Sequence, residues 1–207
     1  MSALLLVEPT DEDIPLYAAY MSEHTKAEFK KSSESGLELI SSFLDAIGVV
    51  NKQAHMSSFG VTLGVTVNLP FDILIPTPGW SPRQKVRMIA HECVHVMQFL
   101  GKTRTMEHVK DPQAIFAWEY VHDEESRAFL EAEAYAADQE VSKQLWDEEP
   151  DTGWVEEQLR GAYAMRPQYS QFAKRLLDVR KRVTMTRNYS ATVTKLTVGF
   201  FRARRAA

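Results

Sequence analysis

The stretch His91-Glu92-Cys93-Val94-His95, with Ser81-Pro82-Arg83-Gln84 ahead of it and Gly101 behind it, decides how this chain is read. Ser81 suits an N-cap, Pro82 the first helical position and Gln84 the third residue of a capping box, while Gly101 follows the last apolar residue as a stop. Residues 81–101 are therefore predicted as one helix. On a helix, residues four apart lie one above the other, so His91 and His95 share a face and their imidazoles can converge on one small cation. Zinc fits that pair, because it accepts neutral imidazole in tetrahedral geometry and a catalytic site needs only three protein ligands beside a water. Glu92, next to the first ligand, is placed to take a proton from that water. At 100° per residue, Val86, Ala90, Cys93, Met97 and Leu100 form an apolar stripe nearly opposite the histidines. The helix is expected to bury that stripe and to present His91 and His95 to a cleft. Cys93, the single cysteine, excludes an internal disulfide and reads as a small core residue rather than a nucleophile.

Working outward towards the N-terminus, the pattern changes to a period of two. Phe59, Val61, Leu63, Val65, Val67 and Leu69 alternate with Gly60, Thr62, Gly64, Thr66 and Asn68, which predicts a strand over 59–69, and a second strand is expected at 71–75 before Pro76, Pro78 and Gly79. Residues 11–48 read as two helices: Ile14, Tyr17, Ala18 and Met21 mark the first, Leu37, Ile40, Phe43, Leu44 and Ile47 the second, and a Ser-rich loop at 32–36 separates them. His24 and His55 fall outside any metal-like spacing. Towards the C-terminus, Asp111-Pro112 caps a short helix carrying Ile115, Phe116, Trp118 and Tyr120, and the loop 101–111 is a candidate cleft lining. A long helix is predicted over 123–146 and a further one over 153–182, and the final segment carries no clear pattern.

The third ligand is sought on the helix 123–146. Glu133 has Phe129, Leu130, Ala136 and Ala137 as its i±3 and i±4 neighbours and so interrupts an apolar face, which is costly for a carboxylate unless it has a partner such as a divalent metal. Glu131 has Arg127 four residues earlier, and a surface pair would satisfy it. Glu133 is the expected ligand with His91 and His95, and Glu131, His108, His122 and Asp138 are the other candidates.

With these residues in hand, the chain resembles the gluzincin metallopeptidases, in which the two His of H-E-x-x-H and a Glu on a later helix hold zinc. Glu133-Ala134-Tyr135-Ala136 looks like their Glu-x-x-small pattern. His95-Val96-Met97-Gln98, followed by Glu131-Ala132-Glu133-Ala134, is similar to small bacterial and phage neutral zinc metallopeptidases. The resemblance covers residues 80–140. It departs from some gluzincins in having Ala137 where an Asp orients a histidine, and the metzincin pattern is absent, because Gln98 and Gly101 stand where it needs Gly and His. It implies an α+β fold, a mostly helical zincin-like domain with a small β-sheet preceding the metal-binding helix. The expected organisation is an N-terminal helical segment 1–58, a metallopeptidase core 59–150 and a C-terminal helical segment 151–207 with a basic tail, all forming one unit.

The function expected is hydrolysis of a peptide bond in a peptide or protein substrate by a water that Zn2+ activates and Glu92 deprotonates. His122, Tyr120 and Tyr135 are candidate donors to the oxyanion. Two other readings stand beside it: a binding protein of a phage or toxin system that keeps the zinc scaffold without turnover, and an amidase acting on another amide such as a peptidoglycan cross-link. Glu92 favours an enzyme, since a purely structural site has no use for a carboxylate beside an open metal position.

Composition bounds the rest. The 207 residues are 44% hydrophobic, enough for an ordinary core. The apolar run near Met1 is too short for a signal peptide or a membrane span, so the expected location is cytoplasmic, with a phage particle or export without a signal left open. From Lys174 onward there are ten Lys or Arg and one acid, Asp178, although the chain as a whole carries −4. That asymmetry marks either contact with nucleic acid or another polyanion, or a solvated helix face that docks on the acidic body.

Overall fold

The computed structural model describes residues 6–31, 60–103, 105–185 and 191–206. The predicted helix behind the Ser-rich loop lies outside them, as does His55.

Chain order begins with α1 (Asp13–Thr25), which buries Ile14, Tyr17, Ala18 and Met21 and ends where Lys26 turns left-handed at φ 71°. Strand β1 (Glu28–Lys31) then pairs in parallel with β3 (Thr66–Leu69), in register Glu28 with Thr66, and β2 (Val61–Leu63) pairs antiparallel on the other side of β3. The sheet order is β1-β3-β2, so β3 is central and β2 lies at an edge.

The predicted strand over 59–69 is in fact this hairpin. Gly64, at φ 65°, takes the first central place of a two-residue turn, a backbone conformation that a side chain would strain. The turn pairs Leu63 with Thr66 and Val61 with Asn68, so the odd-numbered residues change face across it: Val67 and Leu69 are buried, whereas Leu63 is 41% exposed. The second predicted strand does not form. The Asp72 carboxylate accepts from the Leu74 backbone N–H at 2.8 Å, bending the chain, and Leu74 and Ile75 are exposed.

Helix α2 (Pro82–Phe99) carries the motif, and both of its ends are built as the sequence indicates. Ser81 Oγ accepts from the Gln84 backbone N–H, and Gln84 Oε1 accepts from the Ser81 N–H at 2.9 Å. At the other end Gly101 is left-handed at φ 67°, while Lys102 N–H and Gly101 N–H close on the carbonyls of Met97 and Gln98. The expected stripe is buried at Val86, Ala90, Cys93 and Met97, and burial extends to every residue from 89 to 98. The apolar side packs with α1, β3 and the last helix in one core, and the histidine side is covered by two later helices.

Those covering helices are α3 (Pro112–His122) and α4 (Glu124–Trp146), N-capped by Asp111 and Asp123. The single helix predicted over 153–182 is two, α5 (Thr152–Gly161) and α6 (Pro167–Met185), because Pro167 can open a helix but not continue one through its missing N–H. They pack on α4 in a second cluster around Val155, Leu159 and Leu177. The unassigned C-terminal segment forms α7 (Thr192–Ala206), which buries Val193, Val198 and Phe201 in the first core. Residues from all three expected segments, Ile14, Val67 and Phe201 among them, share that core. No helix among the described residues is long and apolar enough to cross a membrane.

Candidate metal centre

One turn of α2 brings His91 Nε2 and His95 Nε2 to 3.3 Å. From α4 the Glu131 carboxylate reaches both, Oε2 to His91 Nε2 at 3.5 Å and Oε1 to His95 Nε2 at 3.3 Å. The three side chains are buried, and their donor atoms all lie within 4.8 Å of one another.

The third member is thus Glu131, which corrects the expectation of Glu133. That expectation rested on a surface Arg127 offering Glu131 an ion pair. Arg127 is instead 2% exposed, with Nη1 donating to the Tyr120 carbonyl at 3.2 Å. Arg127, Ala128, Glu131 and Tyr135 are buried, as are Leu130, Ala136 and Ala137 beside Glu133, but Phe129, the fourth member of the stripe expected around Glu133, is 42% exposed. Glu133 turns to the flank of α2, where its Oε2 accepts from Gln98 Nε2 at 3.0 Å and from Thr105 Oγ1. Asp138, His108 and His122 lie away from the triad: Asp138 holds Arg87 at 2.6 Å, His108 is exposed beside Glu107, and His122 packs at a tilt against Trp118.

Around the triad the environment is aromatic. Tyr135 meets the His91 ring edge-on at 4.6 Å, and Tyr120 meets that of His95 at 5.9 Å. Burial and the neighbouring Glu131 charge push the Tyr120 phenol well above its ordinary value, so it keeps its proton and donates to Glu131 Oε1 at 2.5 Å. Burial works against a charged imidazole, yet the Glu131 carboxylate, with Glu92 and Gln98 behind it, raises His95 to about 9 in the metal-free chain. Burial likewise works against the Glu131 carboxylate, but His95 and His91 hold it well below the usual carboxylate range. Cys93, on the opposite side of the helix, is buried and pushed up to about 12 by that burial, which matches its reading as a core residue.

Glu92 is also buried. Its Oε2 accepts from Thr62 Oγ1 on β2 at 2.7 Å, and a Cβ at Gly60 would stand 2.7 Å from its Oε1. Two hollows flank it. One, of about 550 Å³, is walled by Trp80, Arg87, His91, Tyr135 and Trp154; the other, of about 160 Å³, is apolar and walled by Leu63, His95, Phe99, Phe116 and Tyr120. Gly60, Glu92 and Tyr163 line both. Of the three candidate oxyanion donors, Tyr120 is committed to Glu131, Tyr135 is hydrogen-bonded to Tyr163, and His122 lines neither hollow.

Gly60, Thr62, Gln98 and Tyr163 escape a reading of the sequence alone. Two of them left a signal. An isolated Gly in an alternating pattern marks a close backbone approach, and Gln98 stands three residues after His95, on the same helical face.

The donor set suits zinc, two imidazoles and one carboxylate. Glu131 Oε2 is buried and forms no well-aligned hydrogen bond, only the 3.5 Å approach to His91 Nε2, a costly state for a carboxylate oxygen that a cation would relieve. Two imidazole nitrogens 3.3 Å apart also cannot both offer lone pairs without a proton or a metal between them. Compared with family models, curated proteins and solved structures, the chain matches none of them.

Proposed function

We propose that this chain is a zinc-dependent hydrolase of peptide bonds, with His91, His95 and Glu131 as metal ligands and Glu92 as general base. The observation that carries the reading is the convergence of those three buried donors within 4.8 Å of one another, beside a glutamate that faces two hollows. A zinc ion held there would supply a Lewis acid, lowering the pKa of water towards neutrality and polarising an amide carbonyl. Thr62 and the bare backbone of Gly60 hold the Glu92 carboxylate in place to take a proton from water and pass it to the departing amine. Tyr120 keeps Glu131 turned towards the histidines. The narrow apolar hollow suits one aliphatic side chain of a peptide, and the wide one suits a bulkier, partly polar neighbour.

Metal analysis of protein purified in zinc-supplemented buffer, joined to cleavage of a mixed peptide library, tests this. One zinc per chain is expected, retained in Glu92→Gln and lost in Glu131→Gln. Turnover should fall by roughly 10²–10⁴-fold in Glu92→Gln. A wild type that takes up no zinc, or a Glu92→Gln variant that cleaves as well as wild type, overturns the proposal.

A further inference from the structure

Glu133, set apart from the triad, still bears on how His95 is presented. Three hydrogen bonds connect this region. His95 Nδ1 lies 2.8 Å from Gln98 Oε1, Gln98 Nε2 donates to Glu133 Oε2 at 3.0 Å, and Thr105 Oγ1 donates to the same Glu133 oxygen. Gln98 is fully buried, and its Nε2 also donates to the Leu130 carbonyl at 3.0 Å.

The direction of every bond follows from chemistry. Glu133 as carboxylate and the Leu130 carbonyl are acceptors only, so they require the amide NH2 of Gln98 on their side. Its carbonyl oxygen must then face His95, where only an Nδ1–H can meet it. With that proton on Nδ1, the neutral imidazole carries its lone pair on Nε2, the atom that faces His91 and Glu131. The opposite tautomer would set the Nδ1 lone pair against the Gln98 carbonyl and put a proton on Nε2.

We infer that Glu133, acting through Gln98, is a positioning residue that fixes the His95 ring so that Nε2 is free to bind metal. This rests on the proposed metal site but goes beyond it: a residue outside the triad sets the ligand form of one of its members by accepting a hydrogen bond. Outer partners of this kind are worth about 10–100-fold in metal affinity. Because Leu130 supplies a second anchor for Gln98, the loss from Glu133 alone belongs at the low end.

Glu133→Gln keeps an acceptor at the same place and removes the charge, whereas Glu133→Ala removes both. At this partly buried position both should fold. Zinc affinity measured against a competing chelator should be within about threefold of wild type for Glu133→Gln, about tenfold weaker for Glu133→Ala, and weaker still for Gln98→Leu. The same variants without metal are compared by NMR. The exchange-protected His95 Nδ1–H and the Gln98 amide protons should be retained in Glu133→Gln and shifted or lost in Glu133→Ala.

Equal affinity and equal spectra for Glu133→Ala and wild type overturn the inference. So does a Glu133→Gln variant as weak as Glu133→Ala, which would make charge or direct ligation the operative property. A wild type that binds no zinc refutes the metal site. The link from Glu133 to His95 is then decided by the metal-free spectra, unchanged resonances in Glu133→Ala refuting it and shifted ones supporting it.

Discussion

A methyl group on residue 60 would sit 2.7 Å from Glu92 Oε1 and 2.8 Å from its Cδ, closer than atoms pack. Gly60→Ala must therefore displace the Glu92 carboxyl, since atoms of the Glu92 side chain are the three nearest to the added methyl. Turnover is expected to fall by roughly 10²-fold, the scale of a reacting group displaced by about 1 Å, with zinc content unchanged; assay and metal analysis on one preparation check it. At this scale the sequence told what is local. His91, Glu92 and His95 follow from helical spacing alone, since four residues on one helix fix two side chains without reference to the rest of the molecule. Which of Glu131 and Glu133 meets the histidines depends on how α4 is rotated about its own axis against α2. That is a tertiary fact, set by the burial of Arg127 and the exposure of Phe129, and a long polar side chain such as Arg127 gave no sign of it.

Among the elements, α2 is the one whose ends were written in full. Its capping box gives two backbone-satisfying bonds at Ser81 and Gln84. Ser81→Ala should cost about 1 kcal/mol, a fall of about 2–4 °C in Tm for a chain of this size, followed by circular dichroism. Metal affinity of the folded protein should not change, because the cap lies more than two turns from His91. Where the reading of elements failed, one residue was decisive each time. Alternation across 59–69 concealed a turn at Gly64, since an apolar residue in the turn keeps the count while the strand reverses. Helical periodicity across 153–182 concealed a break at Pro167. Strand β1 was not seen at all: with Glu28, Lys30 and Lys31 in four residues it has no strand pattern, and it is held by pairing with β3.

Across the whole molecule, α7 ties the end of the chain to its start. Tyr17 Oη and Thr197 Oγ1 are 2.7 Å apart, Thr194 donates to Glu140 at 2.8 Å, and Arg204 holds Asp13 at 2.9 Å. In this contact of α7, Arg204 of the basic tail is paired with an acid of the N-terminal helix. Val193, Val198 and Phe201 are buried by the same contact. At about 1.5–3 kcal/mol per fully buried apolar side chain, removing residues 191–207 should forfeit roughly 5–9 kcal/mol, as much as many domains possess. The truncated chain is expected to lose its near-ultraviolet circular dichroism and, with it, the proposed zinc binding, although it keeps His91, His95 and Glu131. Retention of native signal in that variant would show that α7 is dispensable to the core.

The contact between Tyr17 and Thr197 also sets a timetable for biosynthesis. A ribosome adding about 5–20 residues per second delivers α7 roughly 10–40 s after α1. Throughout that interval Tyr17 and Tyr20 lack their final neighbours Phe200 and Phe201, and the nascent chain offers a chaperone an apolar face. His91, His95 and Glu131 have by then all been translated, so the proposed metal centre has all its residues before the core beneath it can close.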